Sequence, residues 1–324
     1  VLLARPSLVD LNARKPEIVA AVKKATGRDL AIEGPIVLSV LPLPRVTVSG
    51  IAFANAPGAE PASMVTVKSV TAKPSLLALL VGRIHLAEVV LVEPGIALEI
   101  DAKGRANWDF APSDAGASPA SGSGPAPLAV GRVAIENGTV TFRDRRTGAS
   151  VSAGKVSVVA SAGSLEGPFG LAGSADVQGE TVKIDASLDG KVSAGHPFRL
   201  ALQTGGGRLS MTGSLSELGP DARLTGSVAS SADSLTGFVE TLARVAGQPE
   251  PDLPPLLAGK FAFEGAVDLS RTAVSAKDFK LTLGQDAASG SLAVTLKPAL
   301  AVEARLSATR IDLDAWLSSL KRPE

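Results

Sequence analysis

The chain has 324 residues, with Lys+Arg and Asp+Glu at 32 each, no Cys, no Tyr, two Trp and two His. A balanced charge argues against a nucleic-acid partner, because phosphate-binding surfaces carry a basic excess. Zero Cys excludes disulfides, thiol catalysis and Cys-ligated metals, and so few aromatics leave a glycan hydrolase without sugar platforms.

The chain opens on Val1-Leu2-Leu3-Ala4 before Arg5-Pro6, which reads either as the tail of a signal or anchor helix or as a loop. Nowhere does an apolar run reach the ~18–20 residues of a membrane span. Leu8, Leu11, Ile18, Val19 and Val22 recur near helical spacing, with Pro16 near the start, Lys23, Lys24 and Arg28 at the end, and Gly27 as the stop. The region 1–30 is therefore an expected N-terminal helix.

From 31 to 110 the period falls to two. Ile36, Leu38 and Val40, then Val46, Val48, Ile51 and Phe53, predict two strands joined through Leu41-Pro42-Leu43-Pro44. Met64, Val65, Val67 and Val70 predict another. Ser75 to Leu80 is an unbroken apolar run with few β-branched residues, which predicts a short helix stopped at Gly82. Residues 84–92 and 96–100 return to strand. Residues 111–127, dense in Ser, Gly, Pro and Ala, read as a linker and the main boundary.

Residues 128–324 alternate with great regularity. Val182, Ile184 and Leu188 share one face, with Lys183, Asp185 and Asp189 on the other. The same stripe continues through Leu200 and Leu202, then Leu209, Met211 and Leu215, then Leu224 and Val228. It runs on through Phe261, Phe263 and Val267, then Leu281 and Leu283, and then Leu292, Val294 and Leu296. Helices interrupt it near 233–247, with Asp233 as the expected N-cap, and near 312–321. Roughly 18 strands at the ~10-residue repeat of an up-and-down sheet would run on the order of 85 Å if laid flat. Such a sheet must fold as a sandwich, close as a barrel or curl into a trough. A packed sandwich is the ordinary outcome of an alternating stripe. The small residues Gly213, Gly226, Gly265 and Ala304 leave room between opposed faces.

Chemistry-bearing clusters are sparse. His85 and His196 have no partner nearby in sequence, so no metal site is expected. Gly205-Gly206-Gly207 lacks the Lys-Ser/Thr of a phosphate loop and reads as a hairpin turn. Asp144-Arg145-Arg146 and Asp312/Asp314 read as solvated turn charges. Asn107-Trp108 has two readings: a plug or membrane-surface group at a groove end, or a cap on the last strand before the linker.

A succession of short motifs carries a resemblance. Lys15-Pro16-Glu17-Ile18 leads to Ala25-Thr26-Gly27-Arg28, then Leu43-Pro44 and Val48-Ser49-Gly50-Ile51-Ala52-Phe53-Ala54-Asn55. Leu76-Leu77, Gly82-Arg83-Ile84, Glu93-Pro94 and Gly104-Arg105-Ala106-Asn107-Trp108 follow. Ile135-Glu136-Asn137-Gly138-Thr139 comes next, and Arg310-Ile311-Asp312-Leu313-Asp314-Ala315-Trp316 closes the series. In this order and spacing they resemble the AsmA family. The resemblance implies a mostly β fold: an extended, curved antiparallel sheet folded into a groove or taco-like trough, with an N-terminal helix and a few short helices. It implies a non-enzymatic, cofactor-free periplasmic protein of Gram-negative bacteria, anchored to the inner membrane by an N-terminal helix and serving outer-membrane biogenesis. Its expected partners are phospholipid carried along the apolar stripe and proteins of the envelope. The alternative is a scaffolding protein that carries no lipid.

Overall fold

The computed structural model describes residues 11–75, 85–110, 129–164, 167–192, 195–219, 221–296 and 299–309. The expected leucine helix at 75–82, the 111–127 linker, the helix near 312–321 and the first four residues lie outside this set, wholly or nearly so. The chain divides into two compact units, Val1–Ala162 and Gly163–Glu324. The division thus falls after the 111–127 segment, because the strands that follow that segment pair back into the first unit.

The first unit begins with a 3-10 turn, Leu11–Arg14, and helix α1, Lys15–Thr26. Pro16 stands in its first turn, where a missing N–H costs nothing. Gly27 ends it in the left-handed conformation (φ 72°), donating its N–H to the Lys23 carbonyl. Strands β1 (Leu30–Ile32) and β2 (Ile36–Ser39) both pair with one edge of β3 (Arg45–Ala54). Then come β4 (Ser63–Pro74), β5 (His85–Ile100), β6 (Ala129–Val130), β7 (Arg132–Asp144) and β8 (Ser150–Ala162). The sheet is antiparallel except at β5, which pairs in parallel with β6 and β7. That parallel pairing departs from the purely antiparallel expectation. A chain returning to the same sheet in the same direction needs a long crossover, and the stretch between β5 and β6 is long enough to supply one.

One row of residues creases this sheet. Cross-strand register aligns Gly50 of β3 with Lys68 of β4, Glu93 of β5 and Asn137 of β7. Gly50, Glu93, Asn137 and, on β8, Lys155 all have left-handed backbone, with φ of 62°, 48°, 53° and 48°. At this row the apolar alternation skips a position in each strand: Val48 to Ile51, Val67 to Val70, Leu91 to Pro94, Ile135 to Gly138. A bulge-like residue there re-aims the strand, so the apolar set stays on one face. β5 is consequently one 16-residue strand, whereas the skip at Glu93-Pro94 predicts two. Met64, Val67, Pro94, Ala97, Ala134 and Val156 are the buried apolar residues along these strands.

Among its described residues, the second unit is a nine-stranded antiparallel meander. Its strands are β9 (Phe169–Val177), β10 (Glu180–Leu188), β11 (His196–Gln203), β12 (Gly207–Leu215) and β13 (Leu224–Ala232), then β14 (Phe261–Leu269), β15 (Ala273–Leu283), β16 (Asp286–Thr295) and β17 (Ala301–Ala308). Each pairs with the next in sequence, and β9 and β17 are not joined, so the sheet is open and no barrel closes. Helix α2 (Leu235–Val245) interrupts the meander between β13 and β14. Its N-cap is Ser234, whose Oγ accepts the Gly237 N–H at 3.1 Å, and not the expected Asp233. Among the described residues the chain is thus mostly β, with an N-terminal α-helix and one further α-helix.

Candidate functional site

The apolar stripe of the second unit is a single surface. One cross-strand row runs Leu188, Phe198, Gly213, Gly226, Val267, Ala276, Leu292, Ala304. The next begins Ala186, Leu200, Met211, Val228, Gly265, and a third begins Ile184, Leu202, Leu209. The interleaved row on the opposite face reads Asp185, Ala201, Ser210, Ala229, Glu264, Lys280, Ser289, Ser307. A bulge at Asp278 (φ 48°) shifts β15 by one residue, which puts Phe279, Leu281 and Leu283 in phase with the stripe. The register therefore brings all the expected lining residues from Val182 to Val294 to one face. Leu296 follows one residue after β16.

This face is only partly covered. Val182, Ala232 and Phe279 are buried on it, but most of its residues are half-buried, and Leu292 and Leu306 are exposed. Each strand packs mainly on its sheet neighbours. Among the described residues of this unit, α2 is the element laid over the face: a Cβ on Gly207 would stand 2.6 Å from the Phe238 ring. Phe238 is 4% exposed and anchors the helix there. Glycines on this face sit where neighbouring atoms approach closely: a Cβ on Gly265 would stand 2.7 Å from the Phe279 Cβ. Phe263 and Phe279 stack at 5.8 Å beside Gly265.

Asn107 and Trp108 lie elsewhere, in the first unit. Asn107 is buried. Its Oδ1 accepts the Glu99 N–H at 3.0 Å, and its Nδ2 donates to the Ala97 carbonyl at 2.7 Å and to Asn55 Oδ1 at 2.9 Å. Asn55 in turn donates to the Pro61 carbonyl. These bonds fasten the turn after β5 to the turn after β3, which is a structural cap. Trp108 leans on Phe142 with ring centroids 6.4 Å apart. Phe110 meets Phe53 edge-on and receives the Arg28 guanidinium on its face, and burial lowers the Arg28 pKa.

Several of the titratable groups are organised as ion pairs. Glu99 is buried and held by Arg145 at 3.0 Å. Hydrogen bonds from the Arg146 side chain and backbone bring Asp144 down to about 2. Glu88, Asp101 and Asp268 are also held below the usual carboxylate range, first by bonds from Lys73, the Arg105 N–H and Arg223 respectively. His196 is buried with Nδ1 3.3 Å from the Asp189 carbonyl. Among the described residues, no group of three or more His, Asp or Glu is placed to hold a metal ion. Gly205 and Gly206 form the β11–β12 turn, closed by the Thr204 N–H on the Gly207 carbonyl. That turn borders a cleft of about 490 Å3 with Arg208, Asp233 and Lys260. No described helix is long and apolar enough to cross a membrane.

Among the described residues of the second unit, an open antiparallel sheet with one apolar and one polar face, the apolar one half-buried over most of its width, defines a one-sided β-surface. The sequence profile of the AsmA family matches residues 1–214, and the chain belongs to that family. No curated protein and no solved structure matches the chain.

Proposed function

We propose that this is a non-enzymatic envelope-biogenesis protein of the periplasm, tethered to the inner membrane, whose second unit binds or conducts phospholipid along its apolar face towards the outer membrane. The observation that carries the reading is the nine-strand apolar surface left half-exposed opposite a polar one. Soluble proteins rarely leave so large an apolar area uncovered without a ligand for it. Nine strands at ~4.8 Å span on the order of 40 Å, wide enough for acyl chains lying across several strands. The face offers acyl chains few polar groups along the rows through Met211, Val228 and Val267. Membership of an envelope-associated family supports the setting.

The test is lipid extraction and mass spectrometry of the gently purified chain. Phospholipid should co-purify with the native sequence. It should be lost on Met211→Glu, in the middle of the apolar face, and retained on Thr212→Glu, which points the other way beside Ser227. A native preparation free of lipid would sink this reading and favour a scaffold whose apolar face docks protein.

A further inference from the structure

The turn between β2 and β3 exposes apolar side chains that no packing accounts for. Leu41 is 84% exposed, Leu43 60% and Val40 52%, and the neighbouring Val37 and Leu38 on β2 are exposed as well. Pro42 and Pro44 alternate with these leucines. A proline has no N–H, so two positions of the turn carry no donor to desolvate on entering an apolar medium.

The charges around the turn have a sign. Arg45 flanks it directly, opposite Ser39, and has no ion-pair partner among the described residues. Continuing across the same end of the sheet, Lys73 on β4 and Arg132 on β7 both pair with Glu88 on β5, at 2.5 and 3.1 Å. This end of the sheet thus carries three cations and one carboxylate, which pairs with two of them. An apolar prong backed by a basic row matches the layered chemistry of an anionic bilayer surface, with acyl chains beneath phosphate.

We propose that residues 40–44 are a membrane-contacting prong. Val40, Leu41 and Leu43 enter the acyl boundary of a bilayer containing anionic phospholipid, while Arg45 and the Lys73–Glu88–Arg132 row rest against its headgroups. This contact uses the first unit and is separate from lipid carriage by the second.

The full chain has no Cys, so one introduced thiol reports one position. Leu43→Cys carries an environment-sensitive fluorophore on the prong. Ala102→Cys carries it in the turn at the far end of β5. Vesicles of phosphatidylcholine with about a third phosphatidylglycerol should shift emission to the blue at position 43 and leave position 102 unchanged. Leu41→Ser with Leu43→Ser should weaken vesicle co-sedimentation roughly tenfold or more, as expected when two leucines no longer enter the interface. Arg45→Gln should weaken it less and reduce its salt dependence. Thermal unfolding of these variants should match the native chain, because the turn is exposed.

Three results would overturn the proposal. One is the absence of a blue shift at 43, or an equal shift at 102. Another is a double-serine variant that sediments like the native chain. The third is a shift at 43 that follows protein concentration without vesicles, which would assign the prong to a second copy. Co-purified lipid in the double-serine variant keeps this test distinct from that of the apolar face.

Discussion

At the scale of single residues, Asn107 shows how a side chain that looks functional in sequence can be structural in the fold. Its amide joins Glu99, Ala97 and Asn55, all in buried surroundings. Removing it strands a backbone N–H and a carbonyl away from water, each costing ~1–3 kcal/mol. Asn107→Ala is therefore expected to destabilise the first unit by about 3 kcal/mol, read from urea unfolding followed by Trp108 fluorescence. Loss of less than about 1 kcal/mol would mean the network is dispensable. The sequence made Asn107-Trp108 conspicuous and gave its capping role as one of two readings. It could not supply Asn55 as partner, because a contact between residues 52 apart leaves no local spacing.

At the scale of elements, strict alternation makes the faces of the second unit legible, since a period of two leaves each strand one choice of which side is apolar. Less legible were the places where the phase slips. The skip at Glu93-Pro94 looked like a break between strands, and only the row of left-handed residues on neighbouring strands shows it to be a crease within one. The parallel pairing of β5 with β7 was invisible for another reason: apolar alternation is the same for either strand direction. Helix α2 was legible from its spacing, but its seat was not. Gly207 provides that seat, because a Cβ there would lie 2.6 Å from the Phe238 ring and 2.9 Å from the Ser231 carbonyl oxygen. Gly207→Ala should cost ~1–3 kcal/mol by forcing Phe238 out of place. Hydrogen exchange should then quicken through α2 while β12 and β13 stay protected. Phe238→Leu, added to Gly207→Ala, should recover part of the loss, since the two positions touch. Unchanged α2 exchange would show that Phe238 does not anchor the helix.

At the scale of the whole molecule, few apolar side chains are fully buried among the described residues of either unit, and ion pairs across strands and turns add support in both. Glu88, Asp101 and Asp144 lie in the first, and Asp268, bound to Arg223, in the second. All four are shifted downwards in the folded state. A carboxylate held below its unfolded value contributes stability that is complete above that unfolded value and is lost as pH falls through the folded one. The unfolded values are those of ordinary carboxylates, ~4. Urea midpoints are accordingly expected to stay level from neutral pH to about 5, to decline below about 4.5, and to keep declining to the region of Asp144, about 2. Carboxyl NMR should place Asp144 last among these groups to protonate. Arg146→Gln, which removes its main hydrogen-bond donor, should move that titration up towards the ordinary range and start the first unit's decline at higher pH. The second unit, followed through its own amide signals, should keep its profile, because Asp268 answers to Arg223 and not to Arg146. Midpoints that rise on acidification would show that carboxylate repulsion, and not pairing, dominates the electrostatics of the folded sheets.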